Sequence, residues 1–102
     1  MSKIIAVDFD DTIYYSDHLE IGRPKWRVVD ALRAEKRKGA KIILWTCRTG
    51  DLLEDAIRAC QKLGLVFDAV NDNLPEIKES FGCNPRKIVA SEYWDDKAVR
   101  VK

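Results

Sequence analysis

Apolar residues in this chain gather in short unbroken runs. Lys3-Ile4-Ile5-Ala6-Val7, Lys41-Ile42-Ile43-Leu44-Trp45, Leu65-Val66-Phe67-Asp68-Ala69-Val70 and Ile88-Val89-Ala90-Ser91 are four of them. Such runs, with little polar alternation, predict strands buried on both faces, as inside a parallel sheet. Between them the period changes to that of a helix. Pro24 suits the start of a helix over about Lys25 to Lys38, with Trp26, Val28, Val29 and Leu32 as its apolar stripe and Gly39 as its stop. Leu53, Ala56, Ile57, Cys60 and Leu63 mark a second helix, over about Asp51 to Leu63, closed by Gly64. A weak helical turn follows over Glu76 to Phe81. Ile13 to Pro24 reads as a loop or small hairpin, and Ala98 to Val101 alternates like a short edge strand. Strands alternating with helices predict right-handed βαβ crossovers. The expected class is therefore α/β, a three-layer sandwich around a mostly parallel sheet.

A length of 102 residues allows one domain, 1–102, with one core. The apolar share of 46% and charged share of 34% are those of a globular protein, and a net charge of +1 leaves nucleic-acid binding to local patches. Cys47, Cys60 and Cys83 are odd in number and far apart, which disfavours a disulfide framework or a zinc site and predicts a cytoplasmic location. No run is long enough to span a bilayer and no signal peptide is recognised, so no membrane partner is expected.

The polar residues that end the strands carry the chemistry. The first run stops at Asp8-Phe9-Asp10-Asp11-Thr12, the second at Thr46-Cys47-Arg48, and the last is followed by Trp94-Asp95-Asp96. Parallel neighbours collect such ends along one edge of the sheet, where α/β proteins bind ligands. Crowded carboxylates repel, and a bound cation relieves the repulsion. Hard oxygen donors suit Mg²⁺, and a hydroxyl with one or two cations suits phosphate oxygens. His18 has no second ligand at metal-site spacing and reads as an exposed loop residue. Cys47, with no histidine close in sequence, reads as a small packing residue.

Asp8-x-Asp10-x-Thr12 after an apolar strand resembles the first motif of the haloacid dehalogenase (HAD) superfamily. Leu44-Trp45-Thr46 is similar to its second motif, Lys87 to the third-motif lysine and Trp94-Asp95-Asp96 to the paired-acid fourth motif. The four occur in order from Lys3 to about Asp96. The resemblance implies a small Rossmann-like domain and a phosphohydrolase working through an aspartyl-phosphate. Asp8 would be the nucleophile and Asp10 the general acid and base. Asp8, Asp10 (through its carbonyl), Asp95 and Asp96 would hold Mg²⁺, and Thr46, Lys87 and Arg48 would contact phosphate or substrate.

Asp11 stands where many members of that superfamily have Gly. The spans from Thr12 to Lys41 and from Val70 to Arg86 are too short for a cap domain. A capless cleft accepts a phosphorylated substrate as large as a macromolecule, or requires a second copy of the chain in a homo-oligomer as lid. Two rival readings are a phospho-accepting domain of the response-regulator type and a catalytically silent binding module. No Asp ends the Ile42 to Trp45 run, and all the acids are kept, which speaks against each in turn.

Overall fold

The computed structural model describes residues 2–102. Its strands are β1 (Ile4–Val7), β2 (Tyr14–Asp17), β3 (Glu20–Pro24), β4 (Lys41–Leu44), β5 (Ala69–Val70) and β6 (Glu92–Trp94). The helices are α1 (Trp26–Arg37), α2 (Gly50–Gln61) and α3 (Pro75–Phe81). Four strands form one sheet in the order β5-β4-β1-β6, every pair parallel, and β2 and β3 form a separate antiparallel hairpin. The fold is the expected small Rossmann-like sandwich, with no cap among the described residues.

The register explains the three layers. Ile5 is paired with Ile42 and Val7 with Leu44. These side chains share one face and pack with Val29 and Leu32 of α1 and Ala56 and Cys60 of α2. Ile4, Ala6 and Ile43 point the other way, onto Leu74, Ile77 and Ile88. Strands covered on both sides need no polar alternation, which is why β1 is buried at all four positions.

Several sequence expectations shift. The fourth strand is Glu92–Trp94 instead of Ile88–Ser91. Ile88 is buried, but the Val89 amide is bonded to the Asn73 side chain, and pairing with β1 begins only where the Ser91 amide donates to the Ile4 carbonyl at 2.7 Å. Only Ala69–Val70 of the third run is a strand. Upstream of it the Asp68 carboxylate accepts the Ile42 amide at 2.8 Å in place of a backbone carbonyl. Trp26 leaves the α1 core stripe and stands exposed, and residues 98–101 form no strand. No described helix is long and apolar enough to cross a membrane.

The stretch Ile13 to Pro24 is the hairpin. His18 and Leu19 form its tip at φ of 47° and 71°, the left-handed pair that a two-residue turn demands. His18 is exposed, as expected. Gly22 is fixed by crowding, since a Cβ there would lie 2.9 Å from the Tyr15 carbonyl oxygen.

Candidate active site

Because β1 lies between β4 and β6, the carboxyl ends of all three meet. The Trp45 amide donates to the Val7 carbonyl and the Asp8 amide to the Trp94 carbonyl, each at 2.9 Å. The resulting cleft, about 440 Å³, is lined by Asp8, Asp10, Asp11, Thr46, Asp95 and Asp96, with Trp45, Cys47 and Lys97. Two acidic segments at opposite ends of the chain are thereby joined. Thr12 fastens them: its hydroxyl accepts the Asp96 amide at 3.1 Å and donates to the Asp96 carboxylate at 3.3 Å.

Carboxylate oxygens of Asp8, Asp95 and Asp96 all lie within 4.8 Å of one another. An octahedral Mg²⁺ with bonds of about 2.1 Å spaces its ligands about 3.0 to 4.2 Å apart. Three carboxylate oxygens no more than 4.8 Å apart are near that spacing, so the donor set fits a hard divalent cation. Its electrostatics point the same way. Burial pushes the Asp8 carboxyl up from 3.8 to about 6, against a hydrogen bond from the Phe9 amide, and the charges of Asp95, Asp96 and Asp10 add to the rise. The site is a concentration of negative charge that a cation would discharge.

Asp10 is differently placed. Arg48 Nε donates to both its oxygens at 3.2 and 3.0 Å, and Nη2 donates to one of them at 2.8 Å. Burial alone would raise the Asp10 carboxyl, but the Arg48 hydrogen bonds and charge hold it below its usual value. Its side chain is not among the close carboxylates, so a metal role for Asp10 would fall to its backbone carbonyl.

Arg48 does not face the cleft, contrary to the expected phosphate contact. Its side chain is 1% exposed, over the Phe9 ring at 4.9 Å, and it also donates to the carbonyls of Leu52 and Leu19. It thus ties Asp10 to the start of α2 and to the hairpin tip. Leu19, at φ 71°, is a costly residue for a left-handed turn, and Arg48 anchors its carbonyl.

Thr46 lines the cleft as expected. Its amide donates to the Asn71 side chain at 2.8 Å, and its hydroxyl oxygen accepts the Arg48 amide at 3.1 Å. The hydroxyl proton is left to donate to a ligand. Lys87, expected beside phosphate, lies outside the cleft lining: its ammonium sits 5.7 Å from the Tyr93 ring centre, and Tyr93 packs against Trp45 at the rim. The lysine that does line the cleft is Lys97, directly after the paired acids, which sequence reasoning passed over. Its adjacency to Asp95 and Asp96 was the available signal. Cys47 is exposed in the cleft and is no packing residue.

Asp11 has a local explanation. It adopts φ 59°, a left-handed conformation that Asp tolerates better than most residues. Its carboxylate accepts the Ser16 amide at 3.0 Å and its carbonyl accepts Lys25 Nζ at 2.7 Å, fixing the loop to the hairpin.

A search of protein-family models and a search of curated proteins gave no match. Among solved structures, a conserved protein coded by a locus of Bacteroides thetaiotaomicron superposes with a TM-score of 0.83 at 36% identity. The match covers 97% of this chain and 79% of that one. The chain belongs to the family of that protein. The sandwich is therefore a family fold.

Proposed function

We propose that the protein is a Mg²⁺-dependent phosphatase of the HAD type. The observation that carries this reading is the convergence of Asp8, Asp95 and Asp96 within 4.8 Å at the edge where Thr46 and Lys97 also lie. Bound there, Mg²⁺ would neutralise charge between the carboxylates and the phosphate oxygens.

The remaining work falls to side chains of the chain. Asp8 attacks phosphorus, the bond to the leaving oxygen breaks, and Asp10 supplies that oxygen with a proton. Water then attacks the aspartyl-phosphate, Asp10 takes its proton, and phosphate and free Asp8 are released. Thr46 and Lys97 hold the non-reacting oxygens, which is most of what phosphoryl transfer asks of a protein. Asp10 in its pair with Arg48 is an anion, the form the second step needs. For the first step Oδ2 picks up a proton and serves the leaving oxygen, while Oδ1 keeps its bond from Arg48 Nη2.

The test is release of phosphate from an aryl phosphate with and without Mg²⁺, in the native chain and in Asp8→Asn. Turnover that needs the metal and is abolished by the substitution is the expected result. Stoichiometric labelling without turnover would identify a phospho-accepting domain instead, and neither would leave a silent binding module.

A further inference from the structure

A second groove, about 620 Å³, lies beside the acidic cleft and has the opposite character. Tyr15, Arg23, Lys25, Trp26, Arg27 and Trp94 line it, and no acidic side chain does. The first turn of α1, which forms one wall, also holds no acid. Trp26 is 53% exposed there and Tyr15 45%, so two large aromatic side chains stand at the surface without serving the core. Arg23 and Lys25 each hold their charge 5.2 Å from the Tyr15 ring centre. Glu92, which accepts the Trp94 indole, is neutralised by Lys3 at 3.0 Å.

Groove and cleft are adjoining. Lys25 Nζ binds the carbonyl of Asp11, a cleft residue, and Trp94 immediately precedes Asp95. Any ligand leaving the cleft past these two residues meets aromatic planes interleaved with cations. That combination matches one chemistry: unpaired bases to stack on and phosphodiesters to neutralise. An acidic peptide would use the cations and leave the aromatic faces idle. A duplex would keep its bases stacked on each other and away from Trp26.

We propose that this groove binds the single-stranded end of a polynucleotide, DNA or RNA, so that its terminal phosphate enters the acidic cleft. The second half of the statement rests on the phosphatase reading; the first half does not. The absence of a cap agrees with it, since a chain can run out of an open cleft along the surface.

Binding of fluorescein-labelled oligodeoxyuridylate and oligouridylate of about 12 nucleotides, without terminal phosphate, is measured by anisotropy on the whole chain. The expected result is saturable binding that weakens steeply with added salt and falls at least about tenfold in Trp26→Ala, whose exposed site keeps the fold intact. Arg27→Glu should weaken it comparably, and polyglutamate should fail to displace the oligonucleotide. The tighter of the two oligonucleotides identifies the sugar. No binding, binding unchanged in Trp26→Ala, or displacement by polyglutamate would overturn the proposal. Because the probe carries no phosphomonoester, these outcomes are independent of turnover. Absence of aryl-phosphate hydrolysis by the native chain would sink the phosphatase reading, and with it the entry of a terminal phosphate into the cleft, but not the binding of the strand in the groove.

Discussion

Arg48 and Asp10, 38 positions apart, form a bidentate pair in which the guanidinium is almost wholly buried and the carboxylate faces the cleft edge. A buried cation cannot lose its partner cheaply. It also cannot leave, because Leu19, Leu52 and Phe9 enclose it.

Arg48→Met should therefore destabilise the protein by about 3 kcal/mol in urea unfolding, and Asp10→Asn by a smaller amount because its site is partly solvated. The double substitution should cost less than the sum of the two. Arg48→Lys is not expected to restore stability, since a point charge cannot replace the fork. A fully additive double variant would show that the pair is not coupled.

Asp8→Asn should do the reverse to stability while abolishing turnover. Asp8 sits among like charges, so removing its own should raise the thermal midpoint of the metal-free protein at neutral pH. The gain is on the order of 1 kcal/mol after allowing for solvent screening. A lower midpoint would mean that the carboxylate is structural.

The two acids give opposite pH signatures. Asp8 has a folded value raised from 3.8 to about 6. The folded state holds that proton more tightly, so metal-free stability should decline as pH rises from about 4 through 6. Asp10 has a lowered folded value, so its contribution is present above the ordinary carboxylate range and is lost as the solution is acidified below it. Since a metal must displace the Asp8 proton, its affinity should strengthen as pH rises through 6. Calorimetric titration with Mg²⁺ at several pH values checks this, and a flat affinity would exclude Asp8 as a ligand.

Thr46→Ala and Lys97→Ala should each lower kcat/KM for an aryl phosphate by about tenfold or more, with little change in unfolding free energy. Lys87→Ala should have the smaller kinetic effect, because its ammonium is at the Tyr93 rim. The reverse order would restore Lys87 to the phosphate.

What the sequence made legible was whatever burial on two sheet faces imposes. Ile4–Val7 and Ile42–Leu44 read as strands because every position is covered, and Asp8 and Thr46 followed as strand-end residues. β6 was displaced because a three-residue edge strand with Glu92 and Tyr93 exposed and only Trp94 packed on the core has little hydrophobic signature, while Ile88 beside it is buried without a ladder. Asn73 explains that substitution. Buried, it donates to the carbonyls of Pro85 and Lys87 and accepts the Val89 amide, a many-armed role that one asparagine in a sequence does not announce. Arg48 misled for a similar reason: its partners come from three separate segments.

The edge position of β6 has a cost for the site. Only three residues of β6 pair with β1, and everything beyond them is exposed. Peeling that short segment away would disconnect Asp95 and Asp96 from Asp8 yet leave β5, β4 and β1 assembled. A cation gripping both sides would act as a staple against such fraying, so amide exchange at Ser91, Asp8 and Asp96 should slow when Mg²⁺ is added.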